Sequence, residues 1–112
     1  MDDKDKIGSR LFCCFRCRNI VAATDNIVNK QFVAGTKRAF LFSWVTNVSE
    51  GPKSDRLMIS GKHMVSDVFC GDCGEILGWK YYEAYHENHK YKVGKTVLAK
   101  SKIVRAYDST FY

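Results

Sequence analysis

The apolar and polar positions of the chain alternate with the period of β-strands. The clearest segment, RAFLFSWVTNV over residues 38–48, places Phe40, Phe42 and Trp44 on one face. Ala39 and Leu41 fall on the other face, because successive side chains of a strand point to opposite sides of the sheet. Since both faces are largely apolar, this segment is predicted to be a central strand.

Shorter apolar segments predict further strands at residues 57–59, 65–69, 76–82 and 96–99. The segment SEGPKSD, residues 49–55, predicts a tight turn, because Gly-Pro with Ser and Asp nearby favours a reversal of the chain. Only residues 82–91 have room for a helix of a few turns, and no clear capping residue precedes them. The pattern therefore predicts an all-β fold of antiparallel sheet.

Length and composition fit one folded domain. The chain has 112 residues, of which 46% are hydrophobic and 27% charged. Residues 1–10 are polar and charge-dense, so we expect a flexible N-terminal tail, a domain over residues 11–105 and a C-terminal tail over residues 106–112. No apolar run approaches the roughly 18 residues that span a bilayer, and the first residues lack the apolar segment of a secretory signal. We therefore expect an intracellular protein, in the nucleus or cytoplasm, without membrane contact.

Four of the five cysteines form two C-x2-C pairs, Cys14 with Cys17 and Cys70 with Cys73, separated by 52 residues. Two residues between cysteines allow a tight turn to aim both sulfurs at one ion, and two such turns complete a tetrahedral zinc site. A redox pair is the alternative, but no βαβ pattern surrounds either pair. The sequence therefore predicts one structural Zn²⁺ bound by these four cysteines.

The turns themselves carry further expectations. Gly71 and Gly74 ease the second turn, whereas the first turn lacks glycine and Asn19 is expected to take a left-handed conformation there. Arg16 and Arg18 are expected to offset the charge of roughly −2 on a zinc tetrathiolate.

The remaining cysteine and the histidines receive structural interpretations. Cys13 is predicted to be a partly buried, inert thiol on the strand face opposite Cys14, with a redox sensor or a competing metal ligand as the alternatives. His63, His86 and His89 are predicted to be surface or turn residues, because four cysteines already complete a zinc site.

At the cysteine pairs and around them the sequence resembles the Yippee-like family. The resemblance runs from Arg10 to about Arg105 and rests on the pairs together with RAFLF, DRLMISGKHMVSDV and GWKY. It implies a β-tent fold, in which two antiparallel sheets meet at an angle beneath one zinc, as in the thalidomide-binding domain of cereblon and in methionine-R-sulfoxide reductases. It also implies a noncatalytic zinc scaffold with protein partners and, for the subgroup that GKHMVSDV resembles, association with a multisubunit RING-type ubiquitin ligase.

Two other functions follow from the fold relatives. The similar methionine-R-sulfoxide reductases have their nucleophilic cysteine well after the second zinc pair, because attack on a sulfoxide needs a thiolate outside the metal site, and no cysteine follows Cys73 in this chain. We therefore expect no enzyme activity. A small ligand or modified peptide is the other candidate, because one tryptophan of the cereblon cage corresponds to Trp79, which with Tyr81 forms a candidate ligand pocket. Core packing of Trp79 beneath the zinc turn is the preferred interpretation.

The net charge of +6 suggests nucleic acid as a further partner. Six basic residues occur in a C-terminal stretch without Asp or Glu: Lys90, Lys92, Lys95, Lys100, Lys102 and Arg105. Such a stretch attracts phosphates, and Tyr91 and Tyr107 are stacking candidates. Four of the lysines, at positions 90, 92, 100 and 102, have the spacing of one solvated strand face, and no RNA-binding signature accompanies them. We therefore expect nonspecific nucleic-acid binding at most.

Overall fold

A computed structural model describes residues 10–106 and shows ten β-strands in this part of the chain. The strands are β1 (Leu11–Cys14), β2 (Ile20–Ala23), β3 (Ile27–Ala34), β4 (Lys37–Phe42), β5 (Val48–Glu50), β6 (Ser54–Met58), β7 (Gly61–Cys70), β8 (Ile76–Ala84), β9 (Thr96–Ala99) and β10 (Ile103–Arg105). Short 3₁₀ turns occupy Thr24–Asn26, Glu87–Lys92 and Lys100–Lys102. The predicted tails fall almost entirely outside the described residues, so the predicted domain boundaries stay predictions.

The strands form two antiparallel sheets, which confirms the predicted fold class. The smaller sheet has the order β10-β1-β2, and the larger has the order β3-β4-β9-β8-β7-β5, with β6 also paired to β7. The smaller sheet carries Cys14 at the end of β1, and the larger carries Cys70 at the end of β7. Each sheet therefore leads into one of the two C-x2-C turns.

The buried side chains form two clusters. The first contains Phe12, Cys14, Val21, Ala22, Phe42, Val68, Cys70, Leu77, Leu98 and Ile103. The second contains Phe32, Ala39, Leu41, Val65, Tyr81 and Val97. Strand β4 contributes Phe42 to the first cluster and Leu41 to the second, because neighbouring residues of a strand face opposite sides. The prediction of a central strand is therefore confirmed for the part that β4 covers.

The central strand is shorter than predicted. It ends at Phe42, and residues 43–47 form a loop that leads into β5. The loop is held where the backbone N–H of Thr46 donates to the carbonyl of Val21 at 2.8 Å, and Asn47 turns the chain with a φ of 57°. As a result Trp44 is 59% exposed rather than packed in the sheet.

The helix considered for residues 82–91 is absent. Strand β8 continues to Ala84, and Glu87–Lys92 is a 3₁₀ turn that begins where the backbone N–H of Asn88 donates to Nδ1 of His86 at 3.2 Å. Ile59, predicted to lie in a strand, instead belongs to the tip of the β6–β7 hairpin, where Gly61 has a φ of 121°. No helix in residues 10–106 is long and apolar enough to cross a membrane.

Candidate metal centre

The two C-x2-C turns share one backbone geometry. In the first, the N–H of Arg18 donates to the carbonyl of Cys14 at 3.0 Å, and in the second the N–H of Gly74 donates to that of Cys70 at 3.0 Å. Arg18 and Gly74 have φ values of 68° and 77°, so the left-handed residue follows the last cysteine in each turn. The expectation that Asn19 would be left-handed is wrong, because the hydrogen bond to Cys14 closes the turn one residue earlier.

The turns bring four sulfurs together. The Sγ atoms of Cys14, Cys17, Cys70 and Cys73 all lie within 4.8 Å of one another. Cys14 Sγ is 3.7 Å from Cys73 Sγ, and Cys17 Sγ is 3.4 Å from Cys70 Sγ. A tetrahedron with zinc–sulfur bonds of about 2.3 Å has edges of about 3.8 Å. The size and chemistry of this donor set therefore fit Zn²⁺.

The surroundings of the four sulfurs affect the ease with which each thiol loses its proton. Burial disfavours the Cys70 thiolate, but backbone N–H groups of the turn and the side-chain amide of Asn19 favour it more, so the pKa of Cys70 is lowered to about 6. The Nδ2 atom of Asn19 lies 3.4 Å from that sulfur. The backbone N–H of Asn19 also favours the Cys17 thiolate, but burial and hydrogen bonds with the other three thiols raise the pKa of Cys17 to about 12. A divalent cation removes this competition, because it stabilises all the thiolates together.

One carboxylate lies beside the turns. Glu75 accepts hydrogen bonds from Lys102 and Arg16, each at 3.0 Å, and these contacts lower the pKa of the Glu75 carboxyl. The charge of Arg16 therefore acts on Glu75 as well as on the cysteines whose charge it was predicted to offset.

Asn47 connects the two turns and was missed by the sequence analysis. Its carbonyl accepts from the backbone N–H of Gly71 at 2.8 Å and from Nδ2 of Asn19 at 2.9 Å. Its own side chain donates to the carbonyl of Ile20 at 2.7 Å. A Cβ atom at Gly71 would lie 2.6 Å from the Asn47 oxygen, so only glycine permits this approach. No local sequence signal identifies this role of Asn47, because it depends on the packing of a distant loop.

Cys13 and the described histidines lie outside the four-sulfur group. Cys13 is completely buried on β1, more than the partial burial predicted. His63 is 1% exposed, so its prediction as a surface or turn residue is wrong. The ring packs against Tyr81 and His89, with centroids 5.1 and 5.8 Å away. His86 and His89 lie at the 3₁₀ turn, as predicted.

A groove of about 450 Å³ lies beside Trp79. Its walls are the tip of the β3–β4 hairpin, with Val33, and the tip of the β6–β7 hairpin, with Leu57 and Ile59. Trp79 packs edge-on against Tyr81, with the ring centroids 6.3 Å apart. Tyr81 is 2% exposed and lies in the core rather than in the groove wall.

The surroundings of Trp79 differ from the preferred interpretation. The indole packs against the second core cluster, whereas Cys14 and Cys70 belong to the first. Trp79 is therefore not the packing residue beneath the zinc turn, and it combines core contacts with a place in the groove wall. On β8, Trp79 lies opposite Asp67, which is three residues and about 10 Å from Cys70 along β7, whereas the hairpin tip at the other end of β7 is about 30 Å from Cys70.

The basic residues of the C-terminal stretch do not share a strand face, which corrects that prediction. Lys92 is 4% exposed, and Lys102 pairs with Glu75. The Nζ atom of Lys100 lies 4.6 Å from the centre of the Phe40 ring. The 3₁₀ turns at Glu87–Lys92 and Lys100–Lys102 direct these side chains to different surroundings.

Comparison with known proteins agrees with the fold and the sulfur cluster. A family model described as Yippee zinc-binding/DNA-binding/Mis18, centromere assembly, matches residues 10–109. The chain belongs to this Yippee-Mis18 family. The Yippee-like resemblance found in the sequence is thereby confirmed, and the family description and the clustered cysteines together indicate one structural Zn²⁺ site.

Individual relatives extend this family assignment. The chain is 50% identical over 99 residues to protein yippee-like At4g27745 of Arabidopsis thaliana, covering 88% of this chain and 93% of the relative. It is 41% identical over 96 residues to protein yippee-like 4 of Rattus norvegicus, covering 86% and 76% respectively. The crystal structure of the Mis18 Yippee-like domain matches with a TM-score of 0.68 at 18% identity, covering 84% of this chain and 91% of that one. The last match supports the fold alone.

Proposed function

We propose that this Yippee-Mis18 chain is a noncatalytic zinc scaffold that binds protein partners. In this proposal Cys14, Cys17, Cys70 and Cys73 hold the Zn²⁺. The main support is the closed set of four sulfurs within 4.8 Å of one another. Four protein thiolates fill a tetrahedral shell and leave no position for a water or a substrate. The metal then serves folding rather than a reaction.

The position of the sulfur cluster supports a role in holding surfaces in place. One C-x2-C turn follows β1 of the smaller sheet, and the other follows β7 of the larger sheet. A metal bound by both turns fixes the two sheets relative to each other. Any binding surface that depends on their arrangement therefore depends on the metal.

The class of partner assembly is proposed from the resemblance. The segment GKHMVSDV, residues 61–68, supports association with a multisubunit RING-type ubiquitin ligase, in the nucleus or cytoplasm, by family analogy. The dispersal of the C-terminal lysines supports no dedicated nucleic-acid surface in the described residues.

Affinity capture with a zinc-deficient variant tests the scaffold. The intact protein, Cys70→Ser and Cys13→Ala are compared for zinc content by elemental mass spectrometry and for captured partners. Cys13→Ala is the matched control, because it removes a thiol beside Cys14 but outside the cluster. We expect Cys70→Ser to lose both zinc and partners, and Cys13→Ala to retain both. Partners retained by a zinc-free Cys70→Ser protein would refute the scaffold.

Ligand binding at the Trp79 groove is the second candidate function, favoured by the volume of about 450 Å³ beside the indole. A Trp44→Phe variant leaves Trp79 as the sole tryptophan, so its fluorescence reports on the groove. Titration with glutarimide-like and peptide ligands is expected to change this emission. An emission unchanged by the whole panel would argue against the candidate.

A further inference from the structure

The rim of the groove exposes three aliphatic side chains. Val33, Leu57 and Ile59 are 60%, 87% and 91% exposed, respectively. Leu57 and Ile59 lie at the tip of one hairpin and Val33 lies at the tip of the other. Scattered apolar residues are normal on protein surfaces, but a cluster around a concavity is typical of an interaction site.

The floor of the groove is anchored in the core. Trp79 and Met58 both line the groove, and both pack against the second core cluster. A bulky apolar side chain entering from outside would therefore meet an apolar floor that is packed against the core. The volume of about 450 Å³ is in the usual range for sites that enclose such groups.

One of the two hairpins that form the groove is basic. Residues 27–38, which include the β3–β4 hairpin, contain Lys30, Lys37 and Arg38 and no Asp or Glu. In the β6–β7 hairpin the charges cancel, because Arg56 pairs with Asp67 at 2.9 Å and Lys62 pairs with Asp55 at 3.7 Å. The three cations of the β3–β4 hairpin are exposed and form no ion pair with any residue in the range 10–106.

A buried cation lies behind the groove. The Nζ atom of Lys92, 4% exposed, donates to Oγ of Ser60 at 3.3 Å, and Ser60 lines the groove. No carboxylate within residues 10–106 forms an ion pair with Lys92. A buried charge acts through a lower dielectric than an exposed one, so Lys92 adds to the positive potential of this surface.

We propose that the groove between the β3–β4 and β6–β7 hairpins binds a short peptide segment of a partner protein that combines a bulky apolar anchor with Asp or Glu beside it. This inference rests on the proposed scaffold function and names the class of partner that the scaffold holds. A neutral ligand would leave the exposed cations of the β3–β4 hairpin without a complement. A nucleic acid would match the cations but leave Leu57 and Ile59 exposed to water.

Selection from a library of displayed random peptides tests this proposal on the intact zinc-loaded protein. Enriched sequences are expected to combine Leu, Phe or Trp with Asp or Glu. Fluorescence anisotropy with a selected peptide then measures Kd for two variants, Leu57→Ser/Ile59→Ser and Lys37→Glu/Arg38→Glu. Each is expected to weaken binding about tenfold or more, and added salt should also weaken binding.

Matched controls distinguish a loss of peptide binding at the groove from the effects of unfolding and of a change in net charge. Val28→Ser replaces an apolar residue that is 47% exposed on β3 but does not line the groove. Lys90→Glu changes an exposed charge in the Glu87–Lys92 turn. Both controls are expected to keep the Kd of the intact protein, and all four variants should keep its thermal midpoint because the altered side chains are exposed.

Several outcomes overturn the proposal. These are no enrichment above an immobilised control protein, enriched peptides without acidic residues, binding unchanged by Leu57→Ser/Ile59→Ser, or binding of the glutarimide-like probe alone. The experiments distinguish refutation of the peptide-binding groove from refutation of the zinc scaffold. Partner capture lost in Cys70→Ser but unaltered in Leu57→Ser/Ile59→Ser would overturn only the groove, whereas capture retained by zinc-free Cys70→Ser would overturn the scaffold.

Discussion

The sulfur of Cys17 lies 3.4 Å from the sulfur of Cys70, although 53 positions separate the two residues in sequence. The contact joins the turn after β1 to the end of β7 and thus links the two sheets. Closing a chain segment costs entropy that grows with its length. Contacts between thiols provide little to offset that cost. A metal that binds both turns only in the folded chain stabilises the closure.

Removal of the zinc is therefore expected to abolish the tertiary structure. A structural zinc contributes on the order of 10 kcal/mol, which is comparable to the whole stability of a domain of this size. The measurement is near-UV circular dichroism during titration with a strong chelator, with one zinc per chain released. Zinc added back should restore the signal.

The control for this experiment is the same chelator with a zinc-free protein of similar size. A metal-free preparation that keeps the thermal midpoint of the loaded protein would contradict the structural role of the metal.

The metal centre could be predicted from the local spacing of the cysteines, whereas contacts between residues far apart in the chain could not. The C-x2-C spacing is sufficient to predict a turn with two converging sulfurs. The role of Asn47 depends on Gly71 and Asn19, which lie far away in the chain. The burial of His63 was also not predicted, because it depends on ring contacts with Tyr81 and His89, which lie far away in the chain.

The length of β4 illustrates the same limit for the fold. Trp44, Val45 and Val48 continue the apolar pattern after Phe42, so the pattern alone extended the strand to Val48. Strand β4 pairs with β9 from Ala39 to Phe42, and Phe42 lies opposite Thr96, the first residue of β9. On its other side β4 pairs with β3, and Phe42 lies opposite Ile27, the first residue of that strand. Beyond Phe42 neither β9 nor β3 offers a strand partner, and a segment without a neighbouring strand gains no ladder hydrogen bonds. The end of β4 is therefore determined by where its neighbouring strands begin and end.

Gly78 is expected to be irreplaceable even by alanine. It lies on β8 opposite Leu98, and a Cβ atom there would come within 1.8 Å of the carbonyl oxygen of Val97. Because that atom belongs to the backbone of β9, Gly78→Ala must displace a central strand and should cost roughly 3 kcal/mol or more. Chemical denaturation of the zinc-saturated protein measures the free energy of unfolding.

Gly35→Ala is the control for Gly78→Ala. A Cβ atom at Gly35 has no neighbour within 4 Å, and its φ of 66° imposes only a conformational cost, about 1 kcal/mol. Equal losses in the two variants would show that the close approach of β8 and β9 is not decisive.

Acid is expected to destabilise the domain through His63. Burial is the main cause that lowers the pKa of His63, and the nearby Lys92 ammonium lowers it further. The Gly61 carbonyl, which accepts a hydrogen bond from Nδ1 at 2.9 Å, acts in the opposite direction but does not outweigh them. The ring also faces Tyr81 and His89, neither of which supplies a negative charge at neutral pH. An unfolded histidine titrates near about 6.5. The stability that neutral His63 provides is thus complete above that pH and is lost as the pH falls toward the folded pKa.

Comparison of His63→Asn with the intact chain isolates this contribution. Asparagine keeps an N–H donor toward Gly61 but cannot be protonated in this range. Between about pH 7 and pH 5, the free energy of unfolding should fall less steeply for His63→Asn, whereas the exposed control His86→Asn should follow the intact chain. Parallel profiles for all three proteins would show that His63 binds protons equally in both states.

The buried charge of Lys92 is expected to lower the free energy of unfolding, and replacement of Lys92 by methionine is expected to raise it. Its side chain is 4% exposed, and Nζ lies 5.5 and 5.4 Å from the centres of the Phe32 and Tyr81 rings. Burial lowers the pKa of Lys92, so folding at neutral pH disfavours its charged form. Lys92→Met keeps most of the packed stem without the charge and should raise the free energy of unfolding by about 1 kcal/mol.

The pH dependence of this gain distinguishes desolvation from better packing. As the pH rises toward about 10, lysine loses its charge in the folded state before the unfolded state, so the advantage of Lys92→Met should shrink. Lys90→Met, which alters an exposed side chain in the same turn, should change little at any pH. A loss of stability in Lys92→Met would instead show that the ring contacts and the hydrogen bond to Ser60 outweigh the cost of burying the ammonium.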